Sequence, residues 1–118
     1  VTTERLVEFR AYRLKPGTVQ AFEQVFVEES LPLHQRWGMD VVAYGSPPDT
    51  IDQFFLIRAY ADHDHREASQ AAFYASADWV LGPREAIVRL IDSDTCTLAC
   101  LPEPLIDALR NPSHPEAC

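Results

Sequence analysis

An α+β fold is predicted: an antiparallel sheet with helices on one face, in the order βαββαβ, the arrangement called ferredoxin-like. Three observations predict it. Four apolar runs of strand length alternate with helical patterns in that order. The link between the second and third runs is a short Pro- and Asp-rich turn, which favours an antiparallel hairpin. Finally, the tripeptide Arg-Ala-Tyr occurs twice, as Arg10-Ala11-Tyr12 and Arg58-Ala59-Tyr60, each time closing a strand-like run that precedes a helix-like stretch. Two copies are too few for a solenoid, which needs at least about three stacked units, so the doubling points to one pseudo-duplicated domain.

The first strand covers Leu6 to Leu14, whose period-2 pattern places Val7, Phe9 and Ala11 on one face. Lys15-Pro16-Gly17 breaks it, and Thr18 is the expected N-cap of a helix with Val19, Phe22, Val25 and Phe26 on one stripe. Pro32 is expected to end or kink that helix, with a separate turn from Leu33 to Trp37 stopped by Gly38. The second strand runs from Met39 to Gly45 and the third from Gln53 to Tyr60. Asp62 caps the next helix, whose Ala68, Ala71 and Ala72 allow a close approach to the sheet. Gly82-Pro83 divides the stretch from Asp78 to Leu90 into two short helices, and Thr95 to Leu101 forms the last strand. The domain is read as residues 1–102. Residues 103–118, with Pro102, Pro104, Pro112 and Pro115 in or beside them, read as a Pro-rich tail that is loose or lies on a neighbouring surface.

Strand parity places Glu8, Arg10, Tyr12, Arg58 and Tyr60 together, and the expectation is that they face away from the helices. With Leu6, Leu14, Phe54 and Leu56 on the same side, that face holds too much apolar surface for a small monomer. A symmetric homodimer, two sheets facing each other, is the expected way to cover it.

The 118 residues fit one domain, and a net charge of −8 with only 10 Lys and Arg argues against nucleic acid or an anionic membrane as partner. No apolar run reaches the roughly 18 residues of a membrane span, and no basic segment followed by an apolar stretch opens the sequence. A cytoplasmic protein is expected. Cys96 and Cys100 lie four apart in a strand, roughly 13 Å between Cα atoms, too far for a disulfide, and Cys118 ends the chain. No nucleotide loop, nucleophile elbow, zinc signature or dinucleotide fingerprint is present, so no cofactor is expected.

The run Glu8-Phe9-Arg10-Ala11-Tyr12-Arg13-Leu14-Lys15-Pro16-Gly17, the pair Ala59-Tyr60 followed by His65-Arg66-Glu67, and Asp78-Trp79 together resemble the NIPSNAP family over residues 5 to 102. The resemblance implies a dimeric α+β barrel, in a superfamily shared with small monooxygenases of antibiotic biosynthesis, muconolactone isomerase and haem-handling relatives. It implies little about chemistry.

The candidate site residues follow. Arg10 and Arg58 with Glu8 could clamp an anion or enolate, or could form an ion pair that sets the dimer register. His34, next to Trp37 at the expected kink, could serve as general acid or base. His34, Arg58 and Tyr60 are the residues expected to carry any catalysis. Tyr44, Tyr60, Trp37 and Trp79 could line an aromatic pocket or belong to the core, and Tyr12 belongs to the pocket or to the dimer interface. His63 and His65 beside Asp62 and Asp64 are the densest set of possible metal ligands, but i and i+2 on a helix point apart, and His65 is the better single candidate. The first functional reading is a homodimer holding a small apolar or aromatic metabolite in a pocket of each protomer, without a cofactor, possible chemistry being of isomerase, cyclase or monooxygenase type. The alternative is a non-catalytic accessory or structural dimer, and a third reading is haem or metal handling through His63 or His65.

Overall fold

The computed structural model of the chain describes residues 3–110. A four-stranded antiparallel sheet is formed by β1 (Glu4–Leu14), β2 (Asp40–Gly45), β3 (Gln53–Tyr60) and β4 (Ile91–Pro102), in the spatial order β2-β3-β1-β4. The alternating sequence of these runs is what a pleated, half-covered sheet requires. In the β1–β3 ladder Glu8 lies opposite Arg58 and Arg10 opposite Leu56, and in the β1–β4 ladder Arg10 lies opposite Cys96 and Tyr12 opposite Asp94.

The helices are α1 (Val19–Val25), a π-helical segment (Phe26–Ser30) that continues directly into α2 (Leu31–Arg36), α3 (His63–Ala75), α4 (Ala77–Val80), α5 (Arg84–Val88) and α6 (Glu103–Leu109). Thr18 occupies the N-cap of α1, but its hydroxyl donates to the Lys15 carbonyl at 2.7 Å instead of capping the helix. Pro32 neither ends nor separates the helix. It sits in the first turn of α2, where the π-helical segment has already broken the regular hydrogen-bond ladder. Gly38, at φ +70, then closes α2 in a left-handed conformation that favours glycine. Asp62 caps α3, its carboxylate accepting from the His65 backbone N–H at 2.8 Å.

The parity expectation is reversed. Leu6, Glu8, Arg10, Tyr12 and Leu14 of β1, with Phe54, Leu56, Arg58 and Tyr60 of β3, lie under the helices and not on the open face. The core there joins Leu14, Phe54, Leu56 and Tyr60 to Phe22, Phe26, Leu33, Phe73, Trp79 and Ile87. Both faces of these strands are apolar, and side-chain size decides between them. The helices stand off the sheet, so the larger side chains fill that gap, and the charged ones are tolerated because they pair with each other across the strands.

The other face carries the smaller set, Val7, Val42, Ala43 and Ala59, and part of it is covered by α6 through Ile106, which is fully buried. The start of the Pro-rich tail, expected to be loose or to lie on a neighbouring surface, is therefore a helix docked on the sheet. Pro104 is compatible with the helix because it falls in the first turn, where a missing N–H costs nothing. Arg110 pins its end to Asp40 at 2.8 Å, and Asp40 also accepts from Arg5 at 3.0 Å. Pro112, Pro115 and Cys118 lie outside the described residues. Phe9, Phe55 and Ile57 remain half-buried on the open face, beside exposed Ala11, Thr95 and Thr97.

Candidate functional site

A carboxylate with no exposed surface, Glu8, sits at the centre of a polar network between sheet and helices. Its Oε1 accepts from Arg58 Nε at 2.7 Å, a bond set by the cross-strand register. Its Oε2 accepts from Arg10 Nη2 at 2.8 Å, Arg66 Nη2 at 2.8 Å and Gln70 Nε2 at 2.9 Å. Burial alone would raise the Glu8 pKa, but the Arg58 charge and the bonds from Arg10, Arg58 and Gln70 outweigh it and hold the carboxyl well below its ordinary range. Glu8 is therefore ionised wherever the protein is folded at neutral pH.

Arg58 is equally buried and spreads the network further. Its Nη1 donates to the Tyr74 hydroxyl at 2.8 Å and to His34 Nε2 at 3.0 Å. His34 Nδ1 lies 2.8 Å from the Ser30 carbonyl, so it carries the proton and donates, leaving Nε2 as the acceptor. Burial, then the neighbouring Arg58 charge, push the His34 pKa down to about 4, which keeps the ring neutral. The Tyr60 hydroxyl accepts from Gln70 at 3.0 Å, and burial raises the pKa of both Tyr12 and Tyr60, so both remain protonated hydroxyls.

Beside this network a cleft of about 310 Å³ opens between the sheet and α3–α5. Arg10, Tyr12 and Asp94 line its sheet side; Tyr74, Trp79 and Arg84 line its helix side; Ile87 and Ile91 add aliphatic surface. Trp79 and Tyr74 meet edge to face, with ring centroids 5.2 Å apart, and so present a fixed aromatic wall. Arg10 links the two regions, since its Nη2 serves Glu8 while its Nη1 donates to Asp94 at 2.6 Å. Two buried guanidinium nitrogens, Arg10 Nε and Arg58 Nη2, have no hydrogen-bond partner.

Of the residues singled out in the sequence, Glu8, Arg10, His34, Arg58 and Tyr60 meet in one network, and Arg10, Tyr12 and Trp79 share the cleft. Three lie elsewhere. Trp37 is exposed, its indole N–H donating to Asp78 at 3.1 Å. Tyr44 packs against Phe26 and Phe54 in the core. His65 takes part in the start of α3, its Nδ1 accepting from the Ala61 backbone N–H at 2.9 Å. Among the described residues no group of three or more His, Cys, Asp or Glu side chains could hold a metal ion, and no helix is long and apolar enough to cross a membrane.

Sequence reasoning missed Arg66, Gln70, Tyr74 and Asp94. The first three recur every four residues along α3, a spacing that puts them on one stripe facing the sheet. Asp94 could be found only from the β1–β4 register.

The NIPSNAP family model matches residues 7–101. Among solved structures, a NIPSNAP family protein with unknown function from Agrobacterium tumefaciens str. C58 superposes with a TM-score of 0.77 at 24% identity, over 85% of this chain and 90% of that one. An uncharacterized NIPSNAP domain protein from Burkholderia xenovorans gives 0.72 at 23% identity, over 80% and 91%. A candidate antibiotic biosynthesis monooxygenase from Nitrosomonas europaea gives 0.60 at 15% identity, over 80% and 95%, a likeness of fold alone. No curated protein matches.

Proposed function

The chain belongs to the NIPSNAP family, and from that premise we propose that it works as a homodimer in which each protomer binds a small apolar or aromatic metabolite in the cleft between the sheet and α3–α5. One observation carries this reading: the cleft joins a fixed aromatic wall, Tyr74 and Trp79, to the polar groups of Arg10, Tyr12 and Asp94 in a volume of about 310 Å³. That combination is what small-molecule sites have, a mostly apolar cavity with a few convergent polar groups. Its chemistry is the stabilisation of negative charge on an oxygen by the Arg10 guanidinium and the protonated Tyr12 hydroxyl, as an isomerase or cyclase acting through an enolate needs.

In this reading His34 and Arg58 are positioning residues. Both ring nitrogens of His34 are engaged and the ring is buried, so it holds Arg58 against Tyr74, and Tyr74 faces the ligand. The same observation favours a second reading, a non-catalytic accessory dimer whose polar network serves only the fold. Ligand-observed NMR with a panel of small aromatic compounds, acidic and neutral, separates the two. Binding by the wild-type protein and its loss in Ile87→Trp, which fills the cleft from its aliphatic side, supports the ligand site. If no member of the panel binds, the cleft reading is withdrawn in favour of the accessory dimer.

A further inference from the structure

Resting on the reading of the cleft as a ligand site, we infer that its ligand is an organic monoanion: a flat apolar body with one carboxylate or enolate oxygen group, received by Arg10 and Arg84. The charges around the cleft support this. Its lining holds two guanidinium groups, Arg10 and Arg84, against one carboxylate, Asp94. Behind the lining, Arg58 and Arg66 face the single charge of Glu8. Positive charge therefore exceeds negative in both layers, on a chain whose net charge is −8. An acidic protein that concentrates arginines around one apolar cleft selects an anion there and repels cations.

The arginines also have bonding capacity to spare. Asp94 takes one N–H of Arg10 Nη1 and Glu8 one N–H of Nη2, so each terminal nitrogen keeps a second N–H to donate, while the unpartnered Nε is buried. Arg84 has only a contact of 3.9 Å to Glu85, at the limit of an ion pair, and its side chain is half exposed at the mouth. Burial keeps Tyr12 protonated beside these groups, so it adds a hydrogen bond without adding negative charge, and the Tyr74 hydroxyl accepts from Arg58 Nη1 at 2.8 Å. Asp94 limits the site to a single anionic group, since a second would meet its carboxylate.

The test uses 2-naphthoate and its neutral analogue 2-naphthamide as probes, titrated against the 118-residue chain by isothermal calorimetry. The expected result is tighter binding of the carboxylate by roughly tenfold, the scale of one charge-assisted contact, weakening with added salt. Arg84→Met, at an exposed position outside the buried network, should weaken the carboxylate far more than the amide and so abolish most of that preference, and Asp94→Asn should strengthen carboxylate binding. Equal binding of the two probes, or a preference untouched by Arg84→Met, overturns the monoanion inference and leaves the cleft reading standing. Absence of binding by both probes overturns the two together.

Discussion

Glu8 and His34 are buried next to the same guanidinium and resist protonation for different reasons. Glu8 stays charged because three arginines and Gln70 donate towards it; His34 stays neutral because burial and Arg58 both oppose a second proton. The consequences for stability have the same sign. A histidine whose folded pKa is about 4, against an ordinary value of 6.5, stabilises fully above the ordinary value and loses that contribution as pH falls from about 6.5 to about 4. The loss amounts to about 3 kcal/mol. The depressed Glu8 carboxyl adds a further loss below its unfolded pKa, continuing as pH falls through its folded value. Urea denaturation between pH 7 and pH 4 should show stability falling across that window, and His34→Gln, which keeps an acceptor without titrating, should flatten the upper part of the slope. An unchanged slope would mean that His34 is already accessible to protons in the folded state.

At the scale of elements, the helix from Val19 to Arg36 shows how one irregularity builds the site. Phe22, Phe26, Ser30 and His34 recur every four residues, and all are buried. In a regular helix that spacing drifts by about 40° per step, so His34 would stand about 120° from Phe22. The wider turn of the π-helical segment, Phe26–Ser30, takes up this drift and keeps His34 on the face that meets Arg58. The sequence displayed the four-residue stripe but not its wider turn. The first three strands, the Asp62 cap and the two short helices around Gly82-Pro83 were legible from local propensity, whereas β4 starts at Ile91, four residues before the expected Thr95, because Ile91 to Asp94 are held by pairing with β1. The covered face was not, since Val7, Phe9 and Ala11 are as apolar a set as Leu6, Tyr12 and Leu14, and only packing volume distinguishes them. The cleft was legible in part: Arg10, Tyr12 and Trp79 stood out, Tyr74 lay on an unrecognised four-residue stripe of α3, and Asp94 depends on the long-range β1–β4 register. The Asp62 cap gives a direct check on α3, which carries Arg66, Gln70 and Tyr74. Asp62→Ala should cost about 1 kcal/mol, measured as a lower thermal midpoint, with a matching loss of helix signal at intermediate temperature.

For the whole molecule, the open sheet face is the main unfinished surface. Phe9, Phe55 and Ile57 remain half-buried there in the single chain, next to the region that α6 covers. The proposed homodimer would bury them, so Ile57→Glu should convert the dimer to a monomer in light scattering while circular dichroism stays unchanged; a monomeric wild-type protein would rule that assembly out. The ladder between β1 and β3 also has a symmetry. Because the strands are antiparallel, a two-fold axis between them exchanges the two Arg-Ala-Tyr copies, carrying Arg10 onto Arg58 and Glu8 onto Leu56. Arg58 consequently meets a carboxylate across the ladder, and Arg10 meets an aliphatic side chain. One position at which the two copies differ, Glu8 against Leu56, thus makes an otherwise interchangeable pair of arginines bond differently: Arg58 through Nε and Nη1 to the buried network, Arg10 through its two terminal nitrogens to Glu8 and Asp94.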